Sequence, residues 1–289
     1  MTDQTRAVAE PEKFTFEGTV TALNVRIVNG TVNVVGSDEG PARLEVSEID
    51  GPPLIVTRQD GTLTVAYEDL PWQNLLKWLD RKSWSRNAVV SLTVPVGASV
   101  EVGVVGAGAV VSGISGRTDV RGVTGDTTLV GLSGAVHAHT VSGNVETQGV
   151  TGDLHFKSVS GDLTVIEGAG ASVQADSVSG DMVIDLDSSG RPTDISLTTV
   201  SGEVAIRLPR PADTRVEANT TSGSVSNAFD DLRVSGQWGT KKITGTLGDG
   251  NGKIRAATVS GSIALLRRPP TEKEPFDAHA APPADKKVL

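Results

Sequence analysis

The sequence predicts an all-β protein, a single-stranded β-helix (β-solenoid) with about 18–22 residues per rung. Three observations predict it: a Ser-Gly signature at near-constant spacing, apolar residues alternating with polar ones after each glycine, and a composition with 33 Gly but only 3% aromatic residues. The signature, [Ser/Thr]-Val-Ser-Gly, stands at 140–143, 158–161, 177–180, 199–202 and 258–261. Its glycines fall at 143, 161, 180 and 202, a looser copy ends at Gly223, and Gly261 follows 38 residues later, or two periods. Gly116, Gly125, Gly134, Gly143, Gly152 and Gly161 are each nine residues apart, so one unit holds two strands and two turns.

Within the units, the second and fourth residues after the glycine are apolar, as in Leu154 and Phe156, Leu163 and Val165, Met182 and Ile184, and Val204 and Ile206. That is the period of a strand with one buried face. The residue between them, as in His137, Glu146, His155 and Thr164, is expected to face solvent. The valine two before the glycine (Val141, Val159, Val178, Val200, Val259) is expected to point inward as the strand enters its turn. Gly125, Gly143, Gly161, Gly180, Gly202, Gly223 and Gly261 are expected to be structural turn residues, since a sharp corner can demand a positive φ that a β-branched residue resists. A unit of about 20 residues cannot bury its apolar face alone, but stacked units enclose a continuous aliphatic core.

The same pattern appears at Gly30, Val32 and Val34, which extends the solenoid domain over residues 14–268. Residues 1–13 are polar, with no apolar stretch of signal-peptide length, and are expected to be disordered. From 269 to 289 the chain is rich in Pro, Glu and Lys without periodicity, the pattern of a disordered tail. The apolar run from Ala88 to Ser112 alternates and is broken by Pro95, Glu101 and glycines, so it reads as strands rather than as a membrane span. Residues 71–87 break the strand pattern: Trp72, Leu75, Leu76 and Leu79 have helical spacing behind Pro71, which predicts a short inserted amphipathic helix.

Composition narrows the function. Against 26 basic residues stand 35 acidic ones, a net charge of −9, so phosphate backbones gain nothing from the chain as a whole and nucleic acid is not an expected partner. With no Cys, disulfides and thiolate catalysis are excluded.

The repeated [Ser/Thr]-Val-Ser-Gly-[Asp/Asn/Glu] units resemble the bacterial toast-rack, adhesin-like β-strand-repeat proteins, over roughly Phe14 to Arg268. The resemblance implies a single-stranded β-helix, often encoded near envelope-stress systems, with no catalytic residues to carry over.

Three groups of residues are candidate sites. Asp126, Asn144, Asp162, Asp181 and Glu203 follow the glycines and form one corner ladder. Calcium-binding β-rolls have a similar period, but they carry paired glycines and a second acidic position, so solvated corner carboxylates are the better reading. His137 and His155 lie 18 residues apart on one outward face, with His139 nearby, and lack a convincing third zinc ligand. Trp72, Leu75, Trp78, Leu79 and Trp84 accompany Lys77, Arg81, Lys82 and Arg86. Such a segment suits a cap on an exposed edge, a partner-docking surface or an interfacial membrane helix.

The expected function is a non-catalytic structural or protein-interaction scaffold linked to the cell envelope, cytoplasmic or peripheral to the membrane, with a protein partner or self-association. It calls for no cofactor, no metal and no small-molecule substrate. Two alternatives stand beside it: a peripheral membrane envelope-stress protein docked through the Trp-rich helix, and a polysaccharide-active β-helix enzyme.

Overall fold

In Leu154-His155-Phe156-Lys157 the apolar side chains recur at every second residue, which places them on one face of a strand. The computed structural model describes residues 4–68, 86–170, 172–187, 194–237 and 239–269, forming twenty-six strands numbered in chain order. The strands make two sheets, one of 14 and one of 12 strands. The chain alternates between them, so each rung contributes one strand to each sheet and turns two corners.

The middle rungs follow the sequence. They pair β9 (Ser99–Val104) with β10 (Gly108–Ser112), β11 (Thr118–Gly122) with β12 (Thr127–Val130), and β13 (Val136–His139) with β14 (Val145–Gln148). Next come β15 (Leu154–Lys157) with β16 (Leu163–Gly168), β17 (Ser172–Asp176) with β18 (Met182–Leu186), and β19 (Asp194–Thr199) with β20 (Val204–Leu208). The rungs stack in parallel register, Val136 opposite Leu154 and Val145 opposite Leu163, so each strand hydrogen-bonds to one a full period away. The alternating apolar positions are buried as expected: Leu154, Phe156, Leu163, Val165, Met182 and Ile184 are all at most 1% exposed. Each such side chain contributes about 1.5–3 kcal/mol through removal from water.

At both ends the order in space departs from the order in sequence. The first full rung, β3 (Ala22–Ile27) with β4 (Asn29–Ser37), stacks on β9 and β10. Its other side is covered by β7 (Thr62–Ala66) and β8 (Asn87–Pro95), which come later in the chain. Beyond these lie β6 (Leu54–Gln59) and β5 (Ala42–Asp50), which run antiparallel to them. At the far end, β25 (Gly252–Thr258) and β26 (Ile263–Arg267) insert between the β19–β20 rung and the earlier β21 (Thr214–Thr220) and β22 (Val225–Asn227). The hairpin of β23 (Arg233–Gln237) and β24 (Thr240–Leu247) closes that end on β21. The 38-residue interval between Gly223 and Gly261 is therefore an excursion outward and back, and the last signature sits one rung inside the looser copy.

The N-terminal boundary is corrected. Gln4 to Val8 forms β1, antiparallel to β6, and β2 (Glu12–Phe16) pairs with β5, so the chain is ordered from residue 4 rather than from 14. These strands look polar in sequence because a strand closing the end of a stack buries little: Val8 and Phe16 are buried, while Thr5, Arg6 and Ala7 are exposed. Of the helix expected over 71–87, residues 71–85 lie outside the described residues, while Arg86 is not helical and Asn87 already belongs to β8. Residues 270–289 of the expected tail also lie outside them. Among the described residues there is no helix, and none long and apolar enough to cross a membrane.

Candidate functional site

The signature lies at the corner where the chain passes from the larger sheet to the smaller, and each of its positions has a separate physical role. Its first residue caps the turn: the amide of Gly143 donates to Thr140 Oγ1 at 2.9 Å, and that of Gly180 to Ser177 Oγ at 2.9 Å. The serine before the glycine ties the turn to the preceding rung. Ser160 Oγ donates to the Val141 carbonyl at 3.4 Å, Ser179 Oγ to that of Val159 at 3.3 Å and Ser201 Oγ to that of Val178 at 3.4 Å.

The glycine is required by close approach. A Cβ on Gly161 would lie 2.0 Å from the Gly143 carbonyl oxygen, and one on Gly180 would lie 2.0 Å from that of Gly161. Gly125, Gly143, Gly202, Gly223 and Gly261 stack in the same way at 1.8–2.2 Å, and none of the seven has a positive φ. The expectation of a left-handed corner is thereby corrected, because carbonyl stacking excludes any side chain. The nine-residue half-period is a second glycine column at the opposite corner, where Gly134 abuts Gly116 and Gly152 abuts Gly134.

The polar residue after the glycine is a rung-to-rung clasp rather than a merely solvated carboxylate. Asp126 Oδ1 accepts the Asn144 amide at 2.9 Å, Asn144 Oδ1 that of Asp162 at 3.1 Å, and Asp162 Oδ1 that of Asp181 at 2.8 Å. Asp181 Oδ1 accepts the Glu203 amide at 2.7 Å.

The valine is the one position with no such role, and its expected inward orientation is wrong. Val141, Val159, Val178, Val200 and Val259 are 41–51% exposed. The strand period continues past the end of β13, so after Val136 and Ala138 it is Thr140 that points inward and Val141 that points out. Because the rungs stack in register, the five valines form one apolar stripe along the corner.

The same column continues toward the N-terminal end as Val123, Val105 and Val28, which are only 8%, 6% and 1% exposed. The backbone there is bonded alike: the Thr124 amide donates to the Val105 carbonyl at 2.8 Å, just as the Ser160 amide donates to that of Val141 at 2.9 Å. Ala66 pairs with Arg26 and Asn87 with Asn29, so the chain leaves for residues 69–85 and returns from them at the level of Val28. Trp72, Leu75, Trp78, Leu79 and Trp84 lie outside the described residues.

A second assembly lies on the outer face of the larger sheet, where Glu101, Asp119, His137 and His155 stand opposite one another on successive strands. Their spacing of 18 was available in the sequence for all four, although only the histidines stand out there. The two imidazoles stack with centroids 5.1 Å apart and planes 7° apart. Burial, with Arg117 adding to it, lowers the pKa of His137, and burial lowers that of His139. Asp119 sits between Arg117 at 2.9 Å and Arg121 at 3.3 Å, and Arg121 also reaches Glu101 at 3.6 Å. Burial raises the Glu101 pKa, with Arg121 opposing. Glu101, Asp119, Arg117 and Arg121, with Asn24 and Ser99, line a shallow hollow of about 260 Å³ that does not include the histidines. Both carboxylates face guanidinium groups, and of these pairs Arg121–Glu101 crosses from β11 to β9. Among the described residues no three His, Asp or Glu side chains are placed to hold a metal ion.

The family model described as Toastrack DUF4097 matches residues 115–194 and 189–266, together just over half of the chain. Among solved structures, a candidate cell adhesion protein from Clostridium sporogenes aligns at 12% identity, covering 92% of this chain and 99% of that one with a TM-score of 0.23. That score carries no functional inference. No curated protein matches the chain.

Proposed function

Because the chain belongs to the toastrack family, whose model spans the rungs that carry the signature, we propose that it is a non-catalytic interaction scaffold presenting its valine corner to a protein partner. The observation that supports this reading is the division of roles within the signature. Capping hydroxyl, clasping serine, stacked glycine and amide-accepting carboxylate all serve the stack, while the valine recurs in each copy at 41–51% exposure. A ladder of half-exposed apolar side chains at rung spacing is a surface that gains free energy when a partner covers it. The acidic and histidine ladder supports no hydrolytic alternative, since its carboxylates are engaged by arginines. A cytoplasmic location belongs to the same proposal and is checked by cell fractionation.

The test places a photo-crosslinking residue at Val159, Val178 or Val200 in cells producing the protein, with Glu146 and Thr164 on the outer face of the smaller sheet as controls. The scaffold reading expects discrete crosslinked species from the three corner positions and none from the controls. Equal crosslinking at both sets, or none at the corner, would refute it.

A further inference from the structure

We propose that the exposed valine stripe, bordered by the carboxylates of Asp162, Asp181 and Glu203, docks a basic amphipathic segment of a partner protein. Tryptophan or leucine side chains of that segment would lie on the valines, and its lysines or arginines beside the carboxylates. This deepens the scaffold reading and rests on it.

Two observations select this chemistry. The stripe is flanked on the smaller-sheet side by the residues that follow each glycine, three residues on from each valine. One oxygen of Asp162 and one of Asp181 accepts an amide of the next rung, while the side chains stay exposed, so negative charge runs along the edge of the apolar track. A cationic partner is drawn to that edge and an anionic lipid surface is repelled.

The second observation is the change in burial along the column. Val28, Val105 and Val123 have the backbone pattern of the open steps and are nonetheless buried, so the exposure of the later valines does not follow from the corner's backbone alone. They are also the steps nearest to Glu68 and Arg86, which bracket a stretch containing Trp72, Trp78, Trp84, Lys77, Arg81 and Lys82. The open steps, from Val141 through Val200 to Val259, repeat the same valine and add the carboxylates. At the strand spacing of about 4.8 Å, five valines span about 19 Å, the length of a helical segment of about 13 residues.

The probe is a fluorescent synthetic peptide with the sequence of residues 69–86, titrated onto the full chain and followed by anisotropy. The expected result is saturable binding that weakens with added salt, falls by about tenfold in the Val159→Asp, Val178→Asp double variant and falls several-fold in Asp162→Asn, Asp181→Asn. Val159→Ser with Val178→Ser serves as a second pair if the first fails to reach the wild-type melting temperature. Absence of saturable binding would overturn the proposal, as would binding indifferent to all of these variants. Stripe-dependent association with vesicles of anionic lipid would overturn it in favour of a membrane. Corner-specific crosslinks in cells together with failure of the peptide would leave the scaffold reading standing and remove this inference alone.

Discussion

Replacing Gly161 with Ala isolates the carbonyl stack that sets the rung spacing. The added Cβ would sit 2.0 Å from the Gly143 oxygen and 2.9 Å from its carbon, both backbone atoms that no rotamer change can move. Relief requires the two turns to part by about 1 Å, a distance over which hydrogen bonds are lost. Of the bonds that cross this corner, three lie in the turn beside the glycine: the Ser160 amide to the Val141 carbonyl at 2.9 Å, the Ser160 hydroxyl to the same oxygen at 3.4 Å, and the Asp162 amide to Asn144 Oδ1 at 3.1 Å. At about 1 kcal/mol each, the cost is about 3 kcal/mol. Gly149 is the control, with φ +61° and nothing within 4 Å of where an added methyl group would sit, so Gly149→Ala meets only left-handed strain of about 1 kcal/mol. The difference corresponds to a melting temperature about 4–8 °C lower for Gly161→Ala than for Gly149→Ala. Thermal unfolding followed by far-ultraviolet circular dichroism, paired with amide exchange at residues 141–163, reads both. Gly149→Ala melting at or below Gly161→Ala would refute the stacking argument.

Removing the Asp162 side chain with Asp162→Ala should cost about 1 kcal/mol in urea unfolding, while Asp162→Asn should match wild type, because an amide oxygen already fills this role at Asn144. Millimolar Ca²⁺ should leave the melting temperature unchanged; a rise of several degrees would restore a calcium ladder. His137 and His139 have folded-state pKa values below the unfolded value, so they bind fewer protons folded than unfolded. Their contribution is complete above about pH 6.5 and is lost as pH falls through the lowered values, so stability should decline from pH 7 toward 5. His137→Asn with His139→Asn should flatten that decline, and an unchanged slope would assign it to other groups; Glu101, shifted upward, works in the opposite sense. Truncation before Gly252 removes β25 and β26 from between two rungs, so amide protection should disappear across β21 and β24 as well. Retained protection there would mean that the end of the stack does not depend on the inserted rung.

Much of the rung was legible in the sequence because strand alternation and the glycine period each report a local constraint. Leu163, Val165, Met182 and Ile184 lie where the two-residue period puts them. The valine's direction follows from the alternation that runs forward from Val136 through Ala138 and Thr140, whereas its distance back from the glycine carries no such information. The glycine column was found but given the wrong cause, since a demand for positive φ and a demand for contact with a carbonyl one rung away leave the same residue in the sequence. Rung order at the ends was not legible. Gly223 and Gly261 carry similar local patterns, and only long-range pairing decides that Gly261 rests on Gly202 and Gly223 on Gly261. The ladder of Glu101 and Asp119 below the histidines is legible by its period of 18 but unmarked by residue type, because two carboxylates are followed along it by two imidazoles.

The manner in which the stack ends bears on where a partner can bind. A parallel solenoid cut between rungs presents two rows of unpaired backbone groups, which is an invitation to head-to-tail pairing. Here both ends are turned back. At one, β1 and β2 run antiparallel to the strands they cover, Phe14 and Phe16 stack 6.2 Å apart, and the Arg6 guanidinium lies over Phe14 while pairing with Glu12. At the other, the β23–β24 hairpin runs antiparallel to β21. The three-residue β22 is followed by a loop in which Asn227 binds the Phe229 and Leu232 carbonyls, burying Phe229 and Leu232. The outer strands β1 and β23 carry Arg6 and Arg233, and charge on an edge strand opposes edge pairing. The tucked rungs β3–β4 and β25–β26 pair in parallel on both sides, and the reversed strands β5, β6 and β24 come one layer further out, on β8, β7 and β21. Under the scaffold proposal, with axial growth opposed at both ends, a partner would meet the flank of the stack, where the exposed valine corner repeats an apolar surface from rung to rung among the described residues.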